Sequence, residues 1–371
     1  MLFDLKPKEK KRDLFGRGQE LQTFLDAIRK RVSLILLLGA RRIGKTSLLK
    51  VGLEECDMPH IYFDLRILEA EGVSKPTLYR LFSSSFNVFL SRKAKITDLL
   101  KRVKGVSFAG HGIEFDWSRE GLKLTELFQT VDQWAGREKT RVIMAFDEAQ
   151  ILRSYKGGGK NDFRSLFAYC YDNLHNITIV LTGSEVGLLF EFLGLNEPES
   201  PLYGRYAETI TLKPFDDQTS RKFLIEGFKE NCVKPPEEFV DKAVEKLDGI
   251  VGWLTYLGNK SIKEGFSSAT IDTVMEEASR IVGTEIRRLE ILSKYYLLSL
   301  RAIANGSASW TEIKRTVEVW TGIPLTNAQI TRTLEKLIEM GFIEKKENLY
   351  SIIDPLVKFT VKRRQYRRRF L

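Results

Sequence analysis

The sequence predicts an α/β protein in which a parallel sheet is followed by a helical segment and a C-terminal winged helix-turn-helix. Apolar runs such as SLILLL and ITIVL show no polar alternation, which is typical of strands covered by helices on both faces. After Pro214 the apolar residues keep helical spacing up to about Ser279. The rest of the chain combines three helical patterns with the hairpin-like segment GFIEKKENLYSII, which is the outline of a winged helix.

The composition supports a folded chain of two or three domains, because 43% of the 371 residues are hydrophobic and 29% are charged. Three widely spaced cysteines argue against a disulfide framework and against a CxxC metal site. We find no apolar run long enough for a membrane helix and no signal peptide, so we expect a cytoplasmic protein without a membrane partner. The net charge of +10 is uneven, since seven basic residues and no acid lie in the last 14 residues. This basic tail indicates a polyanionic partner.

Five short apolar runs are the predicted strands of the sheet. They occupy residues 33–38, 61–64, 142–146, 177–182 and 209–212. The interval 75–136, with two helical patterns around a hairpin pattern, is predicted to decorate one edge of the sheet. The predicted domains are an α/β core at 1–215, a helical lid at 216–284, a winged helix-turn-helix at 285–357 and the basic tail at 358–371.

The segment Gly39-Ala-Arg-Arg-Ile-Gly44-Lys45-Thr46, directly after the first strand, fits the phosphate-binding pattern G-x-x-x-x-G-K-[ST]. The glycines let backbone N–H groups curl around phosphate oxygens, and the helix that follows directs its positive end at the same anion. Lys45 is predicted to reach the β- and γ-phosphates, and Thr46 to offer a hydroxyl to Mg²⁺. The alternative is a glycine-rich turn without a ligand.

The strand at 142–146 runs into two acids, Asp147 and Glu148. In a P-loop enzyme the aspartate holds the Mg²⁺ shell, and an adjacent glutamate accepts a proton from the attacking water. On its own the pair fits an ordinary strand-end turn better, but the P-loop favours the catalytic interpretation. Thr46 and Asp147 are therefore the predicted Mg²⁺ ligands, and Glu148 is the predicted general base.

Taken together, five motifs resemble the archaeal branch of the AAA+/STAND P-loop ATPases. They are FGRGQEL at 15–21, GARRIGKT at 39–46, FDEAQ at 146–150, LTGS at 181–184 and PLYGRYAETITLKPF at 201–215. The resemblance runs from about Leu14 to Phe215, with weaker support through the lid and the winged helix. It implies a P-loop core with central strand order 51432, a helical lid, a C-terminal winged helix, and ATP or ADP with Mg²⁺ as cofactors.

The resemblance also implies roles for single residues. It places the segment Phe15-Gly16-Arg17 beside the adenine and makes Thr182 or Ser184 the sensor of the γ-phosphate. Arg205 is the candidate that neutralises charge during phosphoryl transfer, in its own subunit or in a neighbour's. The alternative for Arg205 is a surface salt bridge.

These arguments define the predicted site. The predicted nucleotide-binding residues are Phe15, Gly16, Arg17, Gly39, Ala40, Arg41, Arg42, Ile43, Gly44, Lys45, Thr46, Ser47, Thr182 and Ser184. The predicted catalytic residues are Lys45, Glu148 and Arg205. The sequence departs from the family at Leu254, which stands where the Gly-Gly-x-Pro-x-Tyr element of the lid has a proline, so the lid contact with the base stays open.

We expect an enzyme in which ATP hydrolysis moves the lid and the winged helix relative to the core. The alternative is a slow nucleotide-gated DNA-binding regulator, similar to archaeal replication initiators. A small-molecule kinase is disfavoured, because the glutamate beside Asp147 suits an activated water better than a substrate hydroxyl.

Duplex DNA is the predicted partner of the C-terminal segment, with a protein partner or a homo-oligomer as the alternative. The predicted recognition helix spans 327–340 and has Gln329, Thr331, Arg332 and Lys336 on its more exposed faces. The basic residues predicted to follow the phosphate backbone are Lys362, Arg363, Arg364, Arg367, Arg368 and Arg369.

Overall fold

The computed structural model describes residues 1–93, 96–109, 112–116, 123–155, 163–184, 186–247, 249–306 and 308–367. Its strands are β1 (Leu34–Leu38), β2 (His60–Asp64), β3 (Val106–Ala109), β4 (Gly112–Phe115), β5 (Val142–Asp147), β6 (Ile177–Gly183), β7 (Glu208–Thr211), β8 (Ala308–Ser309), β9 (Ile343–Lys346) and β10 (Leu349–Ile352). Its helices are α1 (Gly18–Arg29), α2 (Lys45–Glu55), α3 (Arg66–Glu71), α4 (Lys75–Arg92), α5 (Thr97–Leu100), α6 (Leu124–Arg137), α7 (Phe163–Asn173), α8 (Val186–Leu193), α9 (Asp217–Lys229), α10 (Glu237–Leu247), α11 (Val251–Glu264), α12 (Ser268–Leu292), α13 (Lys294–Ile303), α14 (Trp310–Thr321), α15 (Asn327–Glu339) and α16 (Pro355–Arg367).

The five predicted strands form one parallel sheet in the order β2-β5-β6-β1-β7. Counted along the chain as strands one to five, this order is 51432, so the predicted fold is confirmed. Every residue of β1, β5 and β6 is buried, which explains why their sequences lack polar alternation. The C-terminal ends of these strands lie side by side, because Leu38 pairs with Gly183 and Phe146 pairs with Leu181.

In the interval 75–136, α4 and the hairpin lie beside β2, the edge strand, as predicted, whereas α6 packs on β5, β6 and α7. Helix α4 packs on β2, and the hairpin β3–β4 packs on α4. The ring of Phe63 in β2 stacks on Phe82 at 4.4 Å and on Phe146 at 4.6 Å between centroids. This aromatic cluster fixes β2 against its neighbour β5 and thereby positions the acids at the end of β5.

The helical lid, α9 to α12, shares a hydrophobic core with one face of the sheet. The N-terminal segment is part of this core, because the Phe3 ring lies against α9 and α11. A Cβ at Gly227 would come within 2.3 Å of the ring, and one at Gly258 within 2.4 Å. The small residues on two lid helices therefore make room for an aromatic anchor that sequence reasoning did not predict.

The C-terminal segment forms the predicted winged helix-turn-helix from α13, α14, α15 and a three-stranded sheet in the order β8-β10-β9. Its first helix begins later than predicted. Helix α12 continues past residue 285 to Leu292, and the backbone breaks at Ser293, whose hydroxyl caps α13 by accepting from the Tyr295 N–H at 3.3 Å. Residue 285, where the winged helix-turn-helix is predicted to begin, therefore lies inside α12, which contacts α11 of the lid and α13 of the winged helix.

The predicted basic tail begins inside α16, which packs along α12 and α13. Leu356, Val357 and Val361 are buried in this contact, and the Thr360 hydroxyl donates to Ser279 Oγ at 2.9 Å. Arg368 and Arg369 lie outside the described residues. In the described ranges, no helix has both the length and the apolar character needed to cross a membrane.

Candidate nucleotide and catalytic site

The loop between β1 and α2 has the backbone geometry of a phosphate-binding loop. Gly39 has a φ of 145°, and a Cβ there would lie 2.7 Å from the Leu212 carbonyl oxygen. Gly44 has a φ of 100° and stands at the N-terminus of α2. Only glycine adopts such conformations without strain, so the two glycines of the motif are required by the backbone itself.

Lys45 is held inside this loop. Its side chain is buried, and its ammonium donates to the carbonyl oxygens of Gly39 at 2.9 Å and Ala40 at 2.8 Å. Burial lowers the pKa of Lys45, while the charges of Glu148 and Asp147 act in the opposite direction. A phosphate in the loop would offer the ammonium anionic oxygens in place of these neutral carbonyls.

Asp147, at the end of β5, lies fully buried among three hydroxyl groups. Its Oδ2 accepts from Thr46 Oγ1 at 2.8 Å and from the Tyr62 hydroxyl at 2.9 Å, and its Oδ1 accepts from Thr182 Oγ1 at 2.5 Å. The structure thus brings together Thr46 and Asp147, the two predicted Mg²⁺ ligands. Both present oxygen atoms, which are the ligands that Mg²⁺ takes, so the pair fits the ion.

Glu148 follows in a left-handed conformation, with φ 60° and ψ 50°. Its Oε2 accepts from Ser184 Oγ at 2.6 Å, from the Ser184 N–H at 3.2 Å and from Gln150 Nε2 at 2.6 Å. Burial acts to raise the pKa of Glu148, but the Lys45 charge and these hydrogen bonds outweigh it and hold the pKa below its usual value. The carboxylate is therefore ionised at neutral pH, as a general base must be.

Thr182 connects the two acids, because its Oγ1 donates to Asp147 and accepts from the Glu148 N–H at 3.0 Å. Of the two predicted sensor residues, Thr182 thus binds the Asp147 carboxylate and the Glu148 backbone, and Ser184 binds the Glu148 carboxylate. The C-terminal ends of β5 and β6 are thus joined by hydrogen bonds to both acids.

A cavity of about 450 Å³ lies between the loop and the lid. Its wall contains the predicted residues Phe15, Arg17, Arg42, Ile43, Gly44, Lys45, Thr46, Ser47 and Glu148. The structure adds Gly252, Trp253 and Tyr256 from the lid to this wall, whereas Leu254 is fully buried in the lid core. The substituted position in the lid motif therefore faces away from the cavity.

Arg17, in the predicted FGR segment, binds backbone carbonyl groups and an aromatic ring. Its buried guanidinium donates to the carbonyl oxygens of Ile43 at 3.2 Å and Lys213 at 2.8 Å, and it lies 4.5 Å from the centre of the Phe215 ring. Burial lowers the pKa of Arg17. Its contacts show that it ties the FGR segment to the P-loop and to the loop after β7.

Arg205 is not brought to the cavity. Its guanidinium forms a two-point ion pair with Asp172 on α7, with N–O distances of 2.9 and 2.6 Å, and also donates to the Pro201 carbonyl oxygen. Arg205 is absent from the cavity wall formed by the described residues. The structure therefore separates it from Lys45 and Glu148 within one chain.

Sequence reasoning missed three parts of the site. Tyr62 and Gln150 contact the two acids, and residues 4–8 line the cavity, where the Lys8 N–H donates to Ser47 Oγ at 3.0 Å. Gln150 lies in the FDEAQ motif and Tyr62 lies in the predicted strand at 61–64. Both segments were identified in the sequence, but no role at the site was predicted for these two residues. The N-terminal segment carried no local signal, because its place depends on Phe3 reaching the lid.

The sheet order, the glycine loop and the buried acids at the ends of neighbouring strands define a P-loop ATPase of the AAA+-like type. A family model described as an ATPase domain predominantly from Archaea matches residues 14–257. The chain belongs to this family. A second model, described as the MCM protein C-terminal winged helix-turn-helix domain, matches residues 290–353. No curated protein gives a match.

Solved structures agree with this assignment. The Walker-type ATPase paby2304 of Pyrococcus abyssi is 36% identical, with a TM-score of 0.83 over 98% of this chain and 100% of that one. The ORC2 protein of Aeropyrum pernix, in ADPNP and ADP complexes, is 14% identical, with a TM-score of 0.62 over 98% of each chain. Cdc6p of Pyrobaculum aerophilum is 15% identical, with a TM-score of 0.50 over 97% of each chain. The last two show likeness of fold.

Proposed function

We propose that the protein is a Mg²⁺-dependent ATPase of the AAA+/STAND type that couples its nucleotide state to the position of a DNA-binding winged helix. One observation supports the proposed ATP hydrolysis most directly. Lys45, the pair Thr46 and Asp147, and the ionised Glu148 lie around the C-terminal ends of β1 and β5, where phosphoryl transfer needs them.

Each group of residues in the site has a separate role in ATP binding and hydrolysis. The N–H groups of the loop and the Lys45 ammonium bind the phosphates, and Thr46 and Asp147 would hold a Mg²⁺ ion that would supply neutralising charge. Glu148 takes the proton of the attacking water, and Ser184 and Gln150 orient its carboxylate. Phe15, Trp253 and Tyr256 give the cavity its aromatic wall for a base.

Coupling to the winged helix is supported by contacts of the P-loop itself. The Arg42 guanidinium lies 4.1 Å from the centre of the Trp253 ring, and the Arg42 carbonyl oxygen accepts from the Gly252 N–H at 2.9 Å. Trp253 Nε1 in turn donates to Asp354 Oδ2, just before α16, at 3.4 Å. A chain of contacts thus runs from the phosphate loop through the lid to the end of the winged helix.

Glu285 on α12 makes a second connection. Its Oε1 lies 3.0 Å from Arg41 Nη1 and 3.9 Å from Arg42 Nη2. Because α12 packs against α11 of the lid and against α13 of the winged helix, one helix connects the P-loop arginines to both outer domains. This arrangement favours a conformational output over simple turnover.

The alternative is a slow switch with little turnover, and the docking of α15 favours it. The predicted recognition helix packs on α8 of the core, with Lys336 Nζ 3.1 Å from Glu191 Oε2. A Cβ at Gly187 would lie 1.9 Å from the Glu339 Cα, so the two helices are in close contact. In this arrangement the core covers part of the recognition helix.

Three of the four side chains of α15 that are predicted to contact DNA have partners within the protein in this arrangement. Lys336 pairs with Glu191 and Glu339, and Thr331 Oγ1 accepts from Trp310 Nε1 at 3.1 Å. Gln329 closes the capping box with Thr326. Arg332 is exposed and remains the predicted base or phosphate contact on this helix.

ATP turnover with and without duplex DNA tests the proposal. Glu148→Gln is expected to keep nucleotide affinity and to lose roughly 10²–10⁴-fold in turnover, because the general base is removed. Lys45→Ala is expected to lose most of the affinity. Glu199→Gln, an exposed glutamate away from the cavity, is the charge-matched control.

Wild-type turnover in Glu148→Gln would place the base elsewhere. DNA stimulation of a measurable wild-type turnover supports the coupled enzyme. Nucleotide-dependent DNA binding with almost no turnover would support the slow switch instead.

A further inference from the structure

A groove of about 350 Å³ lies between α12 and α16, away from the nucleotide cavity. Among the described residues, its wall contains three arginines, which are Arg280 and Arg287 from α12 and Arg363 from α16. The hydroxyl groups of Ser279 and Thr360, 2.9 Å apart, lie between the two helices in the same wall. The site is built by the contact between the lid and the last described helix of the chain.

The charge of the groove is positive. Arg280 and Arg287 are exposed and lie seven positions apart, so they project from the same face of α12 about 10 Å apart along its axis. Arg363 Nη2 pairs with Glu276 Oε1, the acid in this wall, at 2.8 Å. Within the described part of the chain, Arg280 and Arg287 form no ion pair with a carboxylate.

The wall also accommodates a bulky anion. Gly283 lies on the same face of α12, one turn from each arginine, and presents no side chain there. Among the residues that the structure describes in this wall, none is aromatic and able to stack on a base. The site therefore suits phosphate groups without a base, and α16 extends the basic surface beyond the groove through Lys362.

We propose that this groove binds the phosphate backbone of duplex DNA, through Arg280 and Arg287 with Arg363 at its edge. The proposal rests on the proposed DNA-binding function and gives it a site distinct from α15. Contacts from guanidinium groups to phosphates release counterions, so the groove contributes a salt-dependent and sequence-independent part of the affinity.

The test is duplex-DNA binding by the full chain between 50 and 200 mM salt. The Arg280→Gln/Arg287→Gln double variant is expected to have a log–log salt slope shallower by about 1.8, because two phosphate contacts are lost. Its loss of affinity relative to wild type then grows about 12-fold from 200 to 50 mM salt. The matched control is Lys229→Gln/Lys246→Gln, which removes two exposed charges of the lid outside the groove.

A second variant is expected to increase the affinity for duplex DNA and the steepness of its salt dependence. Glu276→Gln removes the carboxylate that pairs with Arg363, so its slope is expected to be steeper by about 0.9 and its affinity higher. ATP turnover equal to that of wild type in all variants shows that they are folded.

The outcomes distinguish a failure of the groove proposal from a failure of the proposed DNA binding. If the wild-type chain binds no duplex at 50 mM salt, the proposed DNA binding and the groove both fail. If the wild type binds and the arginine double variant keeps the wild-type slope, the groove proposal alone is overturned. Equal changes in the arginine and lysine double variants would also overturn it, because they would show an effect of net charge.

Discussion

Arg205 is a single residue whose predicted catalytic role depends on contact with a neighbouring subunit. Its two-point pair with Asp172 and its distance from the cavity wall leave a role in a neighbouring subunit as the functional prediction. Arg205→Ala is expected to lower ATP turnover with ADP binding unchanged, because an arginine finger acts on charge that develops in the transition state. Mixing Arg205→Ala with Glu148→Gln is expected to restore part of the turnover, since each chain then supplies what the other lacks.

Asp172→Asn is the control for this prediction. It removes the ion pair and keeps the arginine, so turnover is expected to stay near the wild-type level. If both variants behave alike, or if Arg205→Ala has wild-type turnover, Arg205 is only a surface salt bridge worth about 0–1 kcal/mol.

At the level of residues, sequence motifs predicted the groups that carry the chemistry better than those that hold them in place. Lys45, Thr46, Asp147 and Glu148 follow from spacing and strand ends, and the structure brings them together. Tyr62 was missed, because its hydroxyl reaches Asp147 only through the pairing of β2 with β5, whose residues lie about 80 positions apart in sequence.

At the scale of elements, the strands were predictable and α16 was not. A buried parallel strand has a local signature, since its residues are apolar without alternation. Helix α16 has a basic sequence, and its residues Leu356, Val357 and Val361 are buried only because α16 packs on α12 and α13. Its stability comes from tertiary packing and not from local propensity, so the sequence predicted a tail from residue 358 onward and no helix across residues 355–367.

The contact between α8 and α15 makes a prediction at the same scale. Gly187→Ala places a methyl group within 1.9 Å of the Glu339 Cα, so α15 has to move away from α8. Since α15 is the predicted recognition helix, this release is expected to raise the affinity for duplex DNA. The measurement is DNA binding at fixed salt, and Glu191→Gln, which only removes the ion pair with Lys336, is expected to act in the same direction more weakly.

Gly18→Ala is the matched control, because a Cβ at Gly18 meets no atom within 4 Å. Unchanged or weaker DNA binding by a folded Gly187→Ala variant would show that the docked arrangement does not restrict access to the helix.

At the scale of the whole molecule, the P-loop arginines connect all three domains. Arg41 and Arg42 contact Glu285 on the helix shared by the lid and the winged helix, and Arg42 also contacts Trp253, which reaches Asp354. A ligand changes the equilibrium between two arrangements only through contacts that differ between them, and these contacts begin in the loop that binds the phosphates. Binding of nucleotide and binding of DNA should therefore affect each other by the same factor.

Glu285→Gln is expected to reduce this factor towards one, because the ion pairs between the P-loop and α12 are lost. The factor is the ratio of DNA affinities measured with ADP and with a non-hydrolysable ATP analogue. Trp253→Phe, which keeps a ring beside Arg42 but removes the N–H that donates to Asp354, is expected to give an intermediate ratio. Asp272→Asn, an exposed acid on the same helix, should leave the ratio at the wild-type value. A wild-type ratio in Glu285→Gln would mean that the winged helix responds to nucleotide through the contact of α15 with α8 near Ser184, and not through the arginines of the P-loop.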